Sequence, residues 1–547
     1  MPRILGRILL MTALVGIAGT AAALGQAGED GTIRLSLADA VARALERNLD
    51  IAVARLDPVS AREDVTVADS VFDSDLTFNV SNTDTTSEPT SIFSVQSQTS
   101  RLASAEFTDP SRGGGALNAS FSHSQTEATF PPGAEGFFRL IPENFTTSVS
   151  LSYRQPLLRN FGLSINKTQV EQARNNLAIS EHQFQDRINQ LVQDVESAYW
   201  DLVGALRQLE VSRESLSLAE DFLDQTKVKV DVGTLPPIEI TTAEAEVASR
   251  EEDVIVTENS VGDAEDRLRA LLRFAESSPD WFRPILPSDD PGFQQVDVDL
   301  EGAIEKALER RSIVLEAALA LTNAELTERF QRNQRKPDLS LSSTFSVTGN
   351  SFETVPVASI APGGTVFFDE NGFLYQQGDP RLTAPDSISV TLEQELLGRG
   401  ASFSELVDSD NTDFTVAMNL TIPIKNRRAK AEHARSKIAI EQARLRLDSA
   451  RQTVRVEVRQ SVREVETTAR RVASARVNVE LQRRKLDAEE KRYENGLSTA
   501  FQVLEFQNDL QQAGSREIAA IIDYNKALAR LARVQGILIG ERNIRIR

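Results

Sequence analysis

The chain has 547 residues, no cysteine, three methionines, three histidines, 26% charged residues and a formal charge of −20. Without cysteine there is no disulfide framework, thiolate nucleophile, Cys-ligated metal cluster or lipidated N-terminal cysteine. The acidic balance excludes a general nucleic-acid binder, which needs a basic footprint, while 40% apolar residues exclude wholesale disorder.

The first segment reads as a secretion signal. Arg3 and Arg7 precede the apolar run Ile8–Ala18, and small residues at Ala21–Ala23 and Gly25–Ala27 supply cleavage sites. The expected organisation is a signal peptide over 1–27, cut after Ala23 or Ala27, a first repeat over 28–297, a second over 298–540, and a tail of 541–547. After the signal no apolar run approaches the ~20 residues of a membrane helix, whereas membrane strands need only ~9–11 residues each.

A short helix opens each repeat. Ser36 with Asp39 resembles a capping box, and Asp299 caps the second copy. Leu37, Ala40/Val41 and Ala44/Leu45 then share one helical face. Strands follow, alternating apolar residues with Ser, Thr and Asn: Leu76/Phe78/Val80 and Val149/Leu151/Tyr153, then Leu339/Leu341/Phe345/Val347, Ile388/Val390/Leu392 and Phe414/Val416/Met418/Leu420/Ile422. Such alternation fits a sheet with one apolar and one polar face, in a soluble sandwich or in a membrane. In the first half Leu117, Ala119 and Phe121 also alternate, after the turn signal Asp109–Gly115, with Thr99–Phe107 able to pair with them. They form either an added hairpin outside the membrane, the preferred reading, or two further crossings. Residues 352–385 read as a surface loop.

Very long helices come next. Arg427 to Asn495 contains neither proline nor glycine over 69 residues, roughly 100 Å of helix at ~1.5 Å per residue. Leu163 to Val232 is similar, with only Gly204 inside it. The stripe Leu447, Ala450, Val454, Val458, Val462, Val465, Ala469, Val472 advances by threes and fours, as in a coiled coil, with small members that permit close helix approach. Each helix ends at a glycine turn, Val232–Pro237 and Asn495–Thr499, and a returning helix follows over roughly 237–275 and 499–535.

The order is duplicated. Ala44–Arg47 recurs as Ala307–Arg310, and Gly233 as Gly496, both 263 positions later. Phe145–Tyr153 has its counterpart in Phe414–Ile422, each followed by a proline, Pro156 and Pro423. If the strands cross a membrane, both ends of each set return to helices, so their number per half is even. Two per half gives four per chain, too few to close a barrel, and open edges in lipid are costly. Copies must then assemble, most simply as a ring, making a hollow tube.

The signal peptide, the duplicated opening helix Asp39–Asn48, the strand exits Gln155–Arg159 and Leu420–Ile424, and the glycine-tipped helices resemble the TolC-like outer membrane efflux family, from about Leu35 to Leu538. The resemblance implies a mainly α protein with a membrane β-barrel portion. Each half would give a duplicated strand pair plus a long α-hairpin. A homotrimer would form a twelve-stranded barrel in outer membrane lipid, continuous with a twelve-helix coiled-coil tunnel in the periplasm. It implies a passive exit duct of a tripartite efflux or type I secretion system, with a periplasmic adaptor and an inner-membrane pump or secretion ATPase as partners, and no cofactor. The tips Gly233, Thr234, Leu235, Gly496, Leu497 and Ser498 would dock the adaptor. In the family acidic residues follow the tip glycine by six positions, and in the second copy also by nine, and ring a constriction. This chain departs, with Glu239 in the first copy and Gln502 then Glu505 in the second, which implies a weaker ring. Pro236–Pro237 stiffens the first tip.

Enzyme chemistry finds no support. His123, His182 and His433 do not correspond under the repeat, no metal-ligand spacing or phosphate loop occurs, and Glu489–Glu490 are adjacent on a helix and diverge. The competing reading is a periplasmic coiled-coil adaptor or structural spacer with a soluble strand domain.

Overall fold

The computed structural model describes residues 31–91, 94–129, 131, 143–274, 279–359, 366–368, 374–376, 389–396, 398–408 and 411–542. The expected signal peptide and residues 543–547 of the tail lie outside them. The first half runs β1 (Ile33–Leu35), α1 (Leu37–Arg47), α2 (Leu49–Ala54), α3 (Leu56–Asp69) and β2 (Asp75–Thr86). It continues with β3 (Ser97–Pro110), β4 (Ala116–Thr129), β5 (Glu143–Pro156), α4 (Leu163–Asn166), α5 (Thr168–Asp231) and α6 (Ile238–Leu272). The second half runs β6 (Ile285–Pro287), α7 (Leu300–Arg310), α8 (Ser312–Gln334), β7 (Asp338–Asn350), β8 (Phe352–Ser359) and β9 (Val366–Phe368). Then come β10 (Leu374–Gln376), β11 (Ser389–Leu396), α9 (Arg399–Asp408), β12 (Thr412–Thr421), α10 (Arg427–Glu494), α11 (Ala500–Val534) and α12 (Leu538–Glu541). The protein is thus mainly helical with one principal sheet. It forms two compact units: Met1–Ser60, Ala178–Leu319 and Leu445–Arg547 in one, Ala61–Leu177 and Ala320–Arg444 in the other.

The first unit is helical and contains the clearest trace of duplication. Helices α1 and α7 are each 11 residues long, and α6 and α11 each 35. Ser36 Oγ accepts from the Asp39 N–H and donates to the Asp39 carboxylate, while the Asp299 carboxylate accepts from the N–H groups of Glu301 and Gly302, so both opening helices are capped as expected. Between α10 and α11 the ion pairs Glu464–Arg530, Arg471–Asp523, Arg476–Glu517 and Lys485–Asp509 fall in descending order along α11. That order fixes an antiparallel hairpin. The small-residue stripe from Leu447 to Val472 is buried throughout, with Val454, Val458 and Val472 wholly inaccessible. The one glycine within α5 has a packing role. A Cβ at Gly204 would meet Ile522 of α11 at 3.1 Å, and beside it Lys526 pairs with Asp201.

Around these helices the core gathers Ile33, Leu35, Ala40, Val192, Val195, Tyr199, Leu202, Leu268, Leu272, Ile285 and Leu538. Strands β1 and β6 pair in parallel, Ile33 with Ile285. The buried Tyr199 hydroxyl donates to Asp289 at 2.7 Å, and the same carboxylate accepts from the N–H of Leu37. Burial and that bond hold the phenol protonated.

The second unit carries a six-stranded antiparallel sheet, in the order β12-β7-β5-β4-β3-β2. This corrects the expected duplicated strand pair. The second half contributes two strands, β7 and β12, but the first contributes four. The hairpin β3–β4 is not an appendage: it stands between β2 and β5, β3 pairing with β2 over Ser97–Thr108 and β4 with β5 over Ala116–Glu127. The stretch read as a surface loop, 352–385, contains β8, which pairs with β11, and the short pair β9–β10. The expected strand at Ile388–Leu392 is therefore real from Ser389, but belongs to a separate two-stranded sheet; Ile388 lies outside the described residues.

Candidate functional site at the helix tips and on the sheet

Two places in the fold are built for more than packing. One is the pair of helix tips. After α5, the N–H of Gly233 donates to the Val230 carbonyl and that of Thr234 to the Lys229 carbonyl, both at 2.9 Å. After α10, Gly496 donates to Tyr493 at 3.1 Å and Leu497 to Arg492 at 2.8 Å. This is the same left-handed helix termination twice, with φ of 78° at Gly233 and 71° at Gly496. In the first tip the N–H groups of Glu239 and Ile240 bond to the carbonyls of Pro236 and Pro237, so the proline pair opens α6 directly. In the second, Thr499 caps α11 through the Gln502 N–H.

Beneath the tips a small core joins the two hairpins: Phe222, Ala243, Leu486, Tyr493, Ala500, Val503 and Leu504. The Phe222 and Tyr493 rings lie 5.4 Å apart, and the Lys229 ammonium sits 3.9 Å above the Tyr493 ring. The adjacent carboxylates of the α10 end have different surroundings. Glu489 is buried, paired with Arg492 and accepting from Ser498. Burial, followed by repulsion from Asp487 and Glu494, pushes the Glu490 carboxyl above the ordinary carboxylate range.

The predicted site residues sit on this surface. Gly233, Thr234, Gly496 and Leu497 are exposed, Leu235 and Ser498 half-buried. Glu239 is half-buried, and Gln502 and Glu505 are exposed, with Gln502 accepting from Ser498 at 2.9 Å. Leu497 is 71% accessible and Phe501 of α11 68%. Sequence reasoning missed Glu489 and Tyr493 as the supports of the second tip. Their signal was the spacing from Gly496, three residues for the tyrosine and seven for the glutamate.

The other place is the sheet, whose two faces differ sharply. One row across all six strands reads Leu76, Phe107, Ala119, Leu151, Phe345, Phe414; the next reads Phe78, Ala105, Phe121, Val149, Val347, Thr412. The opposite face carries Thr77, Glu106, Ser120, Ser150, Ser346, Asp413 and then Asn79, Ser104, Ser122, Ser148, Thr348. Ser120 bonds Ser150, and Ser122 bonds Ser148, each at 2.7 Å. The apolar face is uncovered: Val149, Leu151 and Tyr153 retain 41–47% of their accessibility, Phe78 73% and Phe414 71%. It ends at α9, where Ser402 bonds Thr147 at 2.9 Å and Phe403 stacks on His123. The backbone there is tight, since a Cβ at Gly349 would fall 2.1 Å from the Ser402 carbonyl oxygen. Among the described residues, strands β2 and β12 each have a single neighbour.

His433 is a buried side chain bonded to Glu328 and Arg335. Among the described residues no three His, Asp or Glu side chains converge as a metal site, and no helix is long and apolar enough to cross a membrane.

Solved structures share this fold, among them the following three. CusC, whose structures concern transmembrane channel formation, superposes with a TM-score of 0.61 at 16% identity, covering 91% of this chain and 92% of its own. The outer membrane protein VceC from Vibrio cholerae gives 0.59 at 14% identity, covering 91% and 96%. The outer membrane channel CmeC of Campylobacter jejuni gives 0.59 at 13%, covering 92% and 86%. No curated protein matches the sequence. The sequence pattern of the outer membrane efflux proteins fits residues 40–272 and again 303–536, the two copies of helix, strands and helical hairpin described above. Fold, duplication and sequence pattern agree, and the chain belongs to the outer membrane efflux protein family.

Proposed function

We propose that this protein is the outer-membrane exit duct of a tripartite efflux or type I secretion system, acting as a homotrimer. Family membership makes it a transport protein and not an enzyme. In this reading the sheets of the copies join edge to edge as a barrel in outer membrane lipid. The helical hairpins line a passage in the periplasm, and solutes arrive from an adaptor and an inner-membrane pump or secretion ATPase. The observation that carries it is the sheet, which among the described residues has an uncovered apolar face, a hydroxyl-rich opposite face and two unpaired edges. Lipid on one side and water on the other satisfy both faces. Each unpaired edge group would cost several kcal/mol in hydrocarbon, so closure with neighbouring copies follows. A periplasmic spacer with a soluble strand domain would instead bury Val149, Leu151 and Tyr153.

At the tips, the exposed loops around Gly233–Leu235 and Gly496–Ser498 offer the docking surface for the adaptor. Glu239 and Glu505 form a reduced acidic ring around the constriction, with neutral Gln502 in the remaining position.

The test is extraction. Recovered from membranes in detergent, the protein should have the mass of three chains and resist dissociation on mild heating. Recovery as a monomer without detergent would overturn the reading.

A further inference from the structure

We propose that each copy contributes six strands, not four, so that the membrane barrel has eighteen and the exit is correspondingly wide. This rests on the reading of the sheet as a membrane wall. Four observations single out β3–β4 as part of that wall. Both strands are 14 residues long, as is β5, so they are long enough to cross. Their apolar residues, Ala103, Ala105 and Phe107 on β3 and Leu117, Ala119 and Phe121 on β4, fall in the rows of the same face as those of β2 and β5. If β3 and β4 lay outside the membrane, β2 would have to pair with β5; it pairs with β3 over its whole length instead.

The fourth observation is the turn. Residues Ser111–Gly115 close the hairpin at the end of the sheet where the helices join it. Arg112 pairs with Asp69 of α3 at 2.8 Å, the Gly162 N–H donates to the Gly113 carbonyl, and Ser74 bonds Asp109. Gly114 has φ of 94°, and a Cβ on it would lie 2.2 Å from the Asn160 carbonyl oxygen. The chain therefore leaves the helices in β2, returns in β3, leaves again in β4 and returns in β5. With six antiparallel strands, β2 and β12 run oppositely, so β12 of one copy meets β2 of the next as an ordinary antiparallel pair.

The consequence is size. With strands about 4.8 Å apart and tilted about 40°, eighteen strands give a wall roughly 36 Å across, against roughly 24 Å for twelve. The backbone cross-section approximately doubles, into the range where strand barrels enclose open aqueous channels. Size selection of cargo then falls to the helix tips and not to the outer membrane.

The cysteine-free chain gives a clean test. Single substitutions Ser104→Cys, Ala105→Cys, Ala119→Cys and Ser120→Cys, with Ser148→Cys and Val149→Cys as controls on β5, are treated in lipid with a water-soluble maleimide. The polar-face positions should react at least about tenfold faster than their apolar-face neighbours on all three strands, since a lipid-covered thiol meets neither water nor reagent. Alternation on β5 with uniform reaction on β3 and β4 would overturn the strand count and leave the duct intact. Loss of alternation on β5 as well would remove the membrane wall itself. Electron microscopy of the unsubstituted oligomer supplies an independent count: eighteen strands expected, twelve contradictory.

Discussion

Phe78 of β2 and Phe121 of β4 occupy one row of the apolar face, with Ala105 of β3 between them. Two large rings flanking a methyl group make a smooth surface from strands that alternate unevenly in sequence. In the proposed membrane wall a cation at the middle position meets lipid, whereas one at the next residue meets water. Ala105→Arg should therefore cost about 2–4 kcal/mol of stability in lipid and Ser104→Arg close to nothing, read by denaturant unfolding in vesicles.

The glycines at the turns differ in what surrounds them. Gly233 and Gly496 have open space where a Cβ would go, so substitution costs only the left-handed conformation, about 1–2 kcal/mol each. Gly114 has the same conformational demand plus a backbone oxygen in the way. Gly114→Ala should be distinctly more destabilising than Gly233→Ala, and it should lower the yield of heat-resistant oligomer where the tip variants do not.

Glu490 gives a pH dependence of definite sign. Its carboxyl titrates above the ordinary value in the folded protein, chiefly through burial and then through Asp487 and Glu494. The folded state therefore holds the proton more tightly than the unfolded chain. Stability falls as pH rises from the ordinary glutamate value, about 4.3, through the raised one. Glu490→Gln keeps a side chain able to bond Gln507 and should raise the thermal midpoint at neutral pH, with the gain vanishing below about pH 4. An equal gain at both pH values would show that charge is not the cause.

If Glu505 and Glu239 ring a constriction as proposed, Glu505→Gln should reduce the cation preference of single channels, and Glu239→Gln should act in the same direction. Gln502→Glu should strengthen it. Unchanged reversal potentials in an ion gradient for all three would take these residues out of the ion path.

Glu196 is wholly buried and held by Arg542 in a two-pronged pair at 2.7 and 3.0 Å. Removing the arginine alone leaves a buried charge, so Arg542→Met should cost about 3 kcal/mol, while the double variant with Glu196→Gln should recover much of it. Chemical denaturation of the pair of variants reads the difference.

The helices were legible because their signals are long and redundant. Sixty-nine residues without proline or glycine match α10 almost to the residue, and the stripe from Leu447 to Val472 is buried as its spacing predicts. Tip glycines were legible for a local reason, the single conformation that only they take cheaply. The strand count was not. Leu102 next to Ala103 breaks the alternation, and Ala105 between Ser104 and Glu106 is too small to announce a buried or lipid-facing position; the turn Asp109–Gly115 reads equally well as a surface hairpin. Strand β8 was hidden by Pro356, which argues against a strand in any central position. Glu489 pairs with Arg492 three residues on along α10, but its burial is completed by Ser498 returning across the turn, a contact that sequence spacing alone does not reveal.

In the proposed duct, open-edged sheets from several copies close into a water-filled wall. Purified oligomer added to a planar lipid bilayer measures this most directly. Discrete, long-lived conductance steps are expected, each from one oligomer and favouring cations. A protein that binds the bilayer or stays in solution without carrying current, under conditions where the oligomer is intact, would contradict the proposed duct.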